Sequence, residues 1–207
     1  MSEAKELGLP EDAFDKQDGE ADLDFYSAPR LVTHIDDAAV VALTRHYASL
    51  LKPGDRVLDL MSSWVSHLPP DLALDVVGHG MNTDELGANP WLGRWFVQDL
   101  NRDPVLVEPD AAFDAVLICV GVQYLQRPVS VFRELRRVLR PGGVIVASYS
   151  NRCFPTKAVA IWRHLDVEGQ ATLIRLYCEK AGFSDIRPLV LADGRSGDLL
   201  IAVDAHA

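Results

Sequence analysis

Apolar and polar positions along the chain alternate between short buried runs and longer amphipathic stretches. RVLDL (56–60), LALDVVG (72–78), RWFVQDL (94–100), FDAVLICVGV (113–122) and GVIVASYS (143–150) are short apolar runs that read as strands. The fourth is almost continuously apolar, as expected of an interior parallel strand covered on both faces. Between them lie helical patterns. Val40, Leu43, Tyr47, Leu50 and Leu51 recur at helical spacing behind a cap at Asp36 or Asp37, and Pro53 and Gly54 end that helix. Residues 82–89 predict a short helix capped by Asn82 or Thr83, and residues 129–141 an amphipathic one with Val129, Val131, Phe132, Leu135, Val138 and Leu139 on one side. Residues 156–183 predict one long helical region, and SDIRPLVLA and DLLIAVDA, joined by DGRSG, a closing hairpin.

Strands alternating with helices predict an α/β fold: a doubly wound, mostly parallel seven-stranded sheet with a C-terminal antiparallel hairpin. The chain of 207 residues suits one domain, and there are no internal repeats. Charge adds one division. Residues 1–24 hold nine acids against Lys5 and Lys16, a net of −7, so the remaining residues carry only −3 of the total −10. Such an arm is expected to be solvated and disordered, leaving residues 25–207 as the domain, with 25–53 an N-terminal lid and helix. No basic stripe invites nucleic acid, and no apolar run is long enough to span a bilayer. The N-terminal residues lack the basic and apolar regions of a signal peptide. Three widely spaced cysteines without a C-x-x-C pair suit reduced thiols in a cytoplasm, and no metal site is expected.

The first strand should end at Asp59 and the next five residues should turn the chain into a helix, although Pro69 and Pro70 leave little room for it. Glycine is the residue for such a turn where a backbone must take positive φ or lie close to a ligand. Here the turn is Met61, Ser62, Ser63, Trp64 and Val65.

FDAVLICVGVQYLQRPVSVFRELRRVLRPGGVIVASYSN (113–151), with VLDL upstream and the closing hairpin, resembles the class I S-adenosylmethionine-dependent methyltransferases, specifically the type 11 group. The resemblance covers about residues 54–204 and implies a Rossmann-like methyltransferase fold with S-adenosyl-L-methionine as cofactor. It aligns the family's three loop glycines with Met61, Ser63 and Val65. A left-handed backbone costs such side chains about 1–2 kcal/mol. The family's ribose-binding acid aligns with Gly80, with Asn82 two residues on as a ribose ligand or as the cap of the next helix. The resemblance also implies that Asp99 accepts from the adenine amine beside Leu100 and that Asp59 serves the methionine ammonium; Ser62 and Ser63, small enough for the turn, are expected to bond a carboxylate in compensation for the missing glycines. Met61 or Trp64 would give apolar contact, Trp64 reading equally as a core-filling indole, with Val120, Gly121 and Val122 as pocket floor.

Methyl transfer needs a general base only for a protonated acceptor. Candidates facing an acceptor are Tyr26 and His34 in the lid, with Arg30 and Asp36 beside them; Gln123 and Tyr124 after the fourth strand; and Asn151, Arg152, Cys153 and Lys157 after the fifth. Arg30 and Arg152 suit an anionic substrate, the cofactor carboxylate or plain surface positions. His67 and His79 read as solvent-facing or capping. The leading expectation is an enzyme that methylates a small molecule. The competing one is a catalytically inactive methyltransferase-like binding or regulatory protein with no cofactor. A nicotinamide oxidoreductase would want G-x-G-x-x-G after the first strand, which is absent.

Overall fold

The computed structural model describes residues 2–207. Its strands are β1 (Arg56–Leu60), β2 (Asp75–Gly80), β3 (Arg94–Val97), β4 (Phe113–Cys119), β5 (Leu139–Ser150), β6 (Ser184–Asp193) and β7 (Leu199–His206). They form one sheet in the order β3-β2-β1-β4-β5-β7-β6. β1 to β5 pair in parallel, and β7 enters antiparallel between β5 and β6. The doubly wound sheet with a closing hairpin is therefore as the pattern predicts.

Side chains alternate across the sheet, so each strand feeds two cores. Leu58, Leu60, Val116 and Ile118 pack under α5 (Pro128–Val138) and α7 (Val167–Ala181). Val57, Val76, Ala115 and Leu117 pack under α3 (Asp37–Leu50) and Leu86 of α4 (Thr83–Ala88). Asp59 has the parity of Val57, so its carboxylate lies on the α3 side at the strand's end. Asp36 caps α3 by accepting from Ala39 N at 2.9 Å. Three expectations are corrected.

No helix forms between β1 and β2; residues 61–74 stay irregular, consistent with Pro69 and Pro70 withholding two amide donors from any helix there. The long helix over 156–183 is broken into α6 (Ala160–His164) and α7, because Leu165 is extended and Asp166 starts a new cap, accepting from Gly169 N at 2.8 Å.

The third correction concerns the acidic arm, which is docked rather than disordered. Ala4, Leu7, Ala13 and Phe14 are buried in the α5–α7 core. α1 (Glu3–Glu6) lies at the start of α5, which lacks a side-chain cap of its own. Glu3 supplies one from outside: Oε2 accepts from Val129 N at 2.7 Å and Oε1 from Ser130 N at 3.0 Å. Four of the arm's nine acids are thus held by a helix N-terminus or by cations: Glu3 by α5, Glu6 by Arg133, and Asp18 and Asp22 by lysines, while the others face solvent. The arm's backbone pins the chain after β5: Ile161 N donates to Ala13 O, Ala160 N to Asp15 O and Asp18 N to Thr156 O. α2 (Asp22–Phe25) then delivers the chain to residues 26–34.

Candidate functional site

The carboxyl ends of β1 to β4 surround a cavity of about 320 Å³, closed on top by residues 26–34. That is near the lower end of the volume range of ligand pockets, about 300–1,000 Å³. Its position is where an open α/β sheet binds its ligands.

The loop after β1 is held without glycine by its neighbours. Met61 takes φ 58°, the left-handed region, directly after the strand. Its N–H donates to His79 Nδ1 at 3.1 Å, and Ser62 N–H to His79 O at 2.7 Å. His79 Nε2–H in turn donates to Gln98 O at 2.9 Å, which fixes the imidazole tautomer. Burial lowers the His79 pKa to about 4, so the ring is neutral and bolts the loop to the ends of β2 and β3. This corrects the expectation of a solvent-facing or capping histidine.

The close approach that glycine would permit in the loop is permitted instead by glycines on adjacent strand ends. A Cβ on Gly80 would stand 2.5 Å from Ser62 O, and one on Gly121 would stand 2.9 Å from the Met61 Cβ and 3.1 Å from its Sδ. Met61 therefore lies over Gly121 and leaves the cavity open. Val120, just before it, is also left-handed at φ 46° and lines the cavity.

Asp59 is buried, and Ser62 and Ser66 both donate to its Oδ2, at 2.6 and 2.5 Å. Its Oδ1 accepts nothing among the described residues and is not sealed from the cavity. Burial raises the Asp59 pKa to about 6, opposed by the two serine bonds. Ser63 Oγ donates away from Asp59, to Glu85 Oε2 at 2.6 Å. Glu85, from the first turn of α4, also accepts Arg30 N at 2.6 Å and so joins loop, helix and lid. Sequence patterning missed it because an acid in a first turn already has a helix-dipole explanation.

Asn82 caps α4: its Oδ1 accepts from Asp84 N and Glu85 N, and its Nδ2 donates to Tyr26 O and Ser27 O. The amide is fully engaged and has no free donor for a ribose. Gly80 offers no side chain. Asp99 lines the cavity beside buried Leu100; Oδ1 accepts from Asn101 N at 3.0 Å, and Oδ2 has no partner among the described residues.

The lid and the wall facing it meet in an aromatic cluster. Phe154 lies edge-on to Phe25, Tyr26 and His34, and the Tyr124 hydroxyl accepts from Phe154 N at 2.9 Å. The Arg30 guanidinium stacks over Phe25 at 4.4 Å and does not line the cavity. Trp64 is a latch rather than a core filler: Nε1–H donates to Val32 O of the lid at 2.9 Å.

The polar group after β5 separates. Asn151 is exposed and away from the cavity. Arg152 lines it but is paired to Asp198 at 2.7 Å. Lys157 is fully buried against the arm, donating to Glu20 O at 2.8 Å with Asp18 at 3.2 Å and Asp22 at 3.5 Å. Gln123 is buried with its amide donating to Val120 O, and it does not line the cavity. Among the described residues no group of three or more His, Cys, Asp or Glu is placed to hold a metal ion.

A family model described as a methyltransferase domain, of the type 11 group, matches residues 81–147, from just past the glycine-poor loop into β5. Those residues lie within a sheet of Rossmann-like, methyltransferase-type topology.

Solved structures agree on the fold. An S-adenosylmethionine-dependent methyltransferase from Archaeoglobus fulgidus superposes with a TM-score of 0.63 at 17% identity, covering 83% of this chain and 95% of that one. Phosphoethanolamine N-methyltransferase 2 of Haemonchus contortus, solved with S-adenosyl-L-methionine, gives 0.58 at 15% identity over 81% of this chain and 51% of that one. The [4+2]-cyclase SpnF gives 0.58 at 17% identity over 79% of each chain, so the fold alone does not fix the reaction. No curated protein matches the sequence. No helix of the described residues is long and apolar enough to cross a membrane.

Proposed function

We propose that the protein transfers a methyl group from S-adenosyl-L-methionine to a small-molecule acceptor. The observation that carries this reading is the open cavity at the ends of β1 to β4 with two unpaired carboxylate oxygens, Asp59 Oδ1 and Asp99 Oδ2, despite the bulk of Met61. A closed loop packed with side chains would have left no room for a nucleoside.

When bound, the cofactor supplies a methyl group on a positively charged sulfur. In our reading Asp99 Oδ2 accepts from the adenine amine beside Leu100, and Asp59 Oδ1 faces the ammonium. Met61, Ser62, Ser63, Gly80 and Val120 shape the floor and rim, while Asn82 acts on the lid rather than on the ribose. Tyr26, His34, Tyr124 and Phe154 enclose the acceptor and hold it in line with the methyl carbon, the main source of rate in such a displacement. Three free thiols suit a reducing compartment such as cytoplasm.

Thermal unfolding with S-adenosylhomocysteine tests the reading. At a hundredfold excess over its dissociation constant a ligand of the native state adds about 2.7 kcal/mol. Asp99→Ala should remove most of the shift. No shift at millimolar ligand would leave a methyltransferase-like binding protein in its place.

A further inference from the structure

Two histidines line the cavity with no hydrogen-bond partner among the described residues. His34 comes from the lid and His67 from the loop after β1, and both line the cavity. Neither ring nitrogen of either residue makes a hydrogen bond to the described residues, and none is sealed from the cavity. The edge-on packing of His34 against Phe154, with centroids 5.9 Å apart, sets its ring orientation. The charged groups that bear on His34 are Glu85 from α4 and Arg30 from the lid; His34 in turn bears on His67 of the loop.

Many of the other ionisable side chains of the cavity are engaged, and the two carboxylate oxygens without a partner among the described residues, Asp59 Oδ1 and Asp99 Oδ2, belong to the cofactor in the reading above. Asp59 Oδ2 holds Ser62 and Ser66, Glu85 holds Ser63 and Arg30 N, Asp22 holds Lys16 and Asn101, and His79 is the bolt between strands. Tyr124 holds Phe154 N, and Tyr26 is a phenol whose proton burial retains.

Resting on the methyl-transfer reading above, we infer that the acceptor is a protic oxygen or sulfur nucleophile and that His34 is its general base, with His67 the second imidazole across the same space. The acceptor's O–H or S–H proton passes to the His34 imidazole. The acceptor atom bonds to the methyl carbon as that carbon's bond to sulfur breaks, its electron pair staying on sulfur, which becomes a neutral thioether. The imidazolium then releases its proton to water. Burial and the Arg30 charge hold His34 below its ordinary value, against the pull of Glu85, so the ring is an unprotonated base at neutral pH.

The test is methyl transfer from S-adenosyl-L-methionine to a panel of phenols and thiols set against amines of matched shape, with tyramine carrying both groups. Expected are O- or S-methyl products, and kcat/KM that rises with pH through one ionisation and then levels. His34→Phe should keep the edge-on packing and the S-adenosylhomocysteine thermal shift, lower kcat by about 10²–10⁴-fold, and abolish that ionisation from the profile. N-methyl products alone would overturn the inference. So would oxygen methylation that His34→Phe leaves at wild-type rate and pH dependence, or no turnover of the panel by a protein that binds the cofactor. Loss of the thermal shift in the wild-type protein is a separate result and refutes the methyl-transfer reading itself.

Discussion

Met61 and Gly121 form a complementary pair. The methionine adopts φ 58° at a cost of about 1–2 kcal/mol, and it is accommodated because Gly121 presents no Cβ to it. Gly121→Ala should destabilise the wild-type protein by about 1–3 kcal/mol, the usual cost of overpacking, because the new methyl meets Met61 Cβ at 2.9 Å. In a Met61→Gly background the same change should cost well under half as much, with Ile118 Cγ2 at 3.3 Å the remaining crowded neighbour. Urea unfolding of the four proteins measures the coupling; additive costs would refute the pairing. At this scale Asp59 and Asp99 are singled out through the resemblance to the methyltransferases, and both line the cavity. The sequence does not disclose Gly80, Gly121 or His79 as the loop's supports. Their role depends on which strand ends lie side by side, and Gly121 is sixty residues from Met61.

Among the elements, the inner strands such as β1 and β4 are the most legible, since burial on both faces demands unbroken apolar runs whatever the topology. The absent helix after β1 is half legible through Pro69 and Pro70. The break at Leu165 is hidden because Asp166 looks like any polar helix residue until its neighbour is seen to be extended. The arm misleads most. Its acids read as solvated because their partners lie far along the chain, Glu3 being bound to Val129 and Ser130. Glu3→Ala should cost about 1 kcal/mol, as loss of a helix cap does. It should also speed amide exchange in both α1 and the first turn of α5. Unchanged stability together with unchanged exchange would return the arm to the status of a loose tail.

For the whole molecule, two buried groups at the ends of β1 and β2 set opposing pH dependences. His79 is held near 4, below its ordinary 6.5, so its contribution is complete above pH 6.5 and is lost as pH falls toward 4. Asp59 is raised to about 6 from 3.8, so burying it destabilises the fold above pH 6 and that penalty fades as pH falls toward 3.8. Each shift is worth on the order of 3 kcal/mol, at 1.36 kcal/mol per unit. The two nearly cancel between pH 6 and 4, and what remains of the acid slope from titrating cavity groups comes from His34 and His67, both held low. Removing one partner should therefore expose the other. Asp59→Asn keeps an acceptor for Ser62 and Ser66 but abolishes the opposing titration, so its stability should fall more steeply than wild type from pH 6 to 4. His79→Gln should flatten or reverse the wild-type slope over the same interval, whatever it costs at pH 7. Urea midpoints measured at half-unit steps of pH distinguish these outcomes. Parallel curves for all three proteins would mean that the loop after β1 is not fastened by a neutral His79 beside a buried Asp59, and the geometry proposed for the cofactor rim would fall with it.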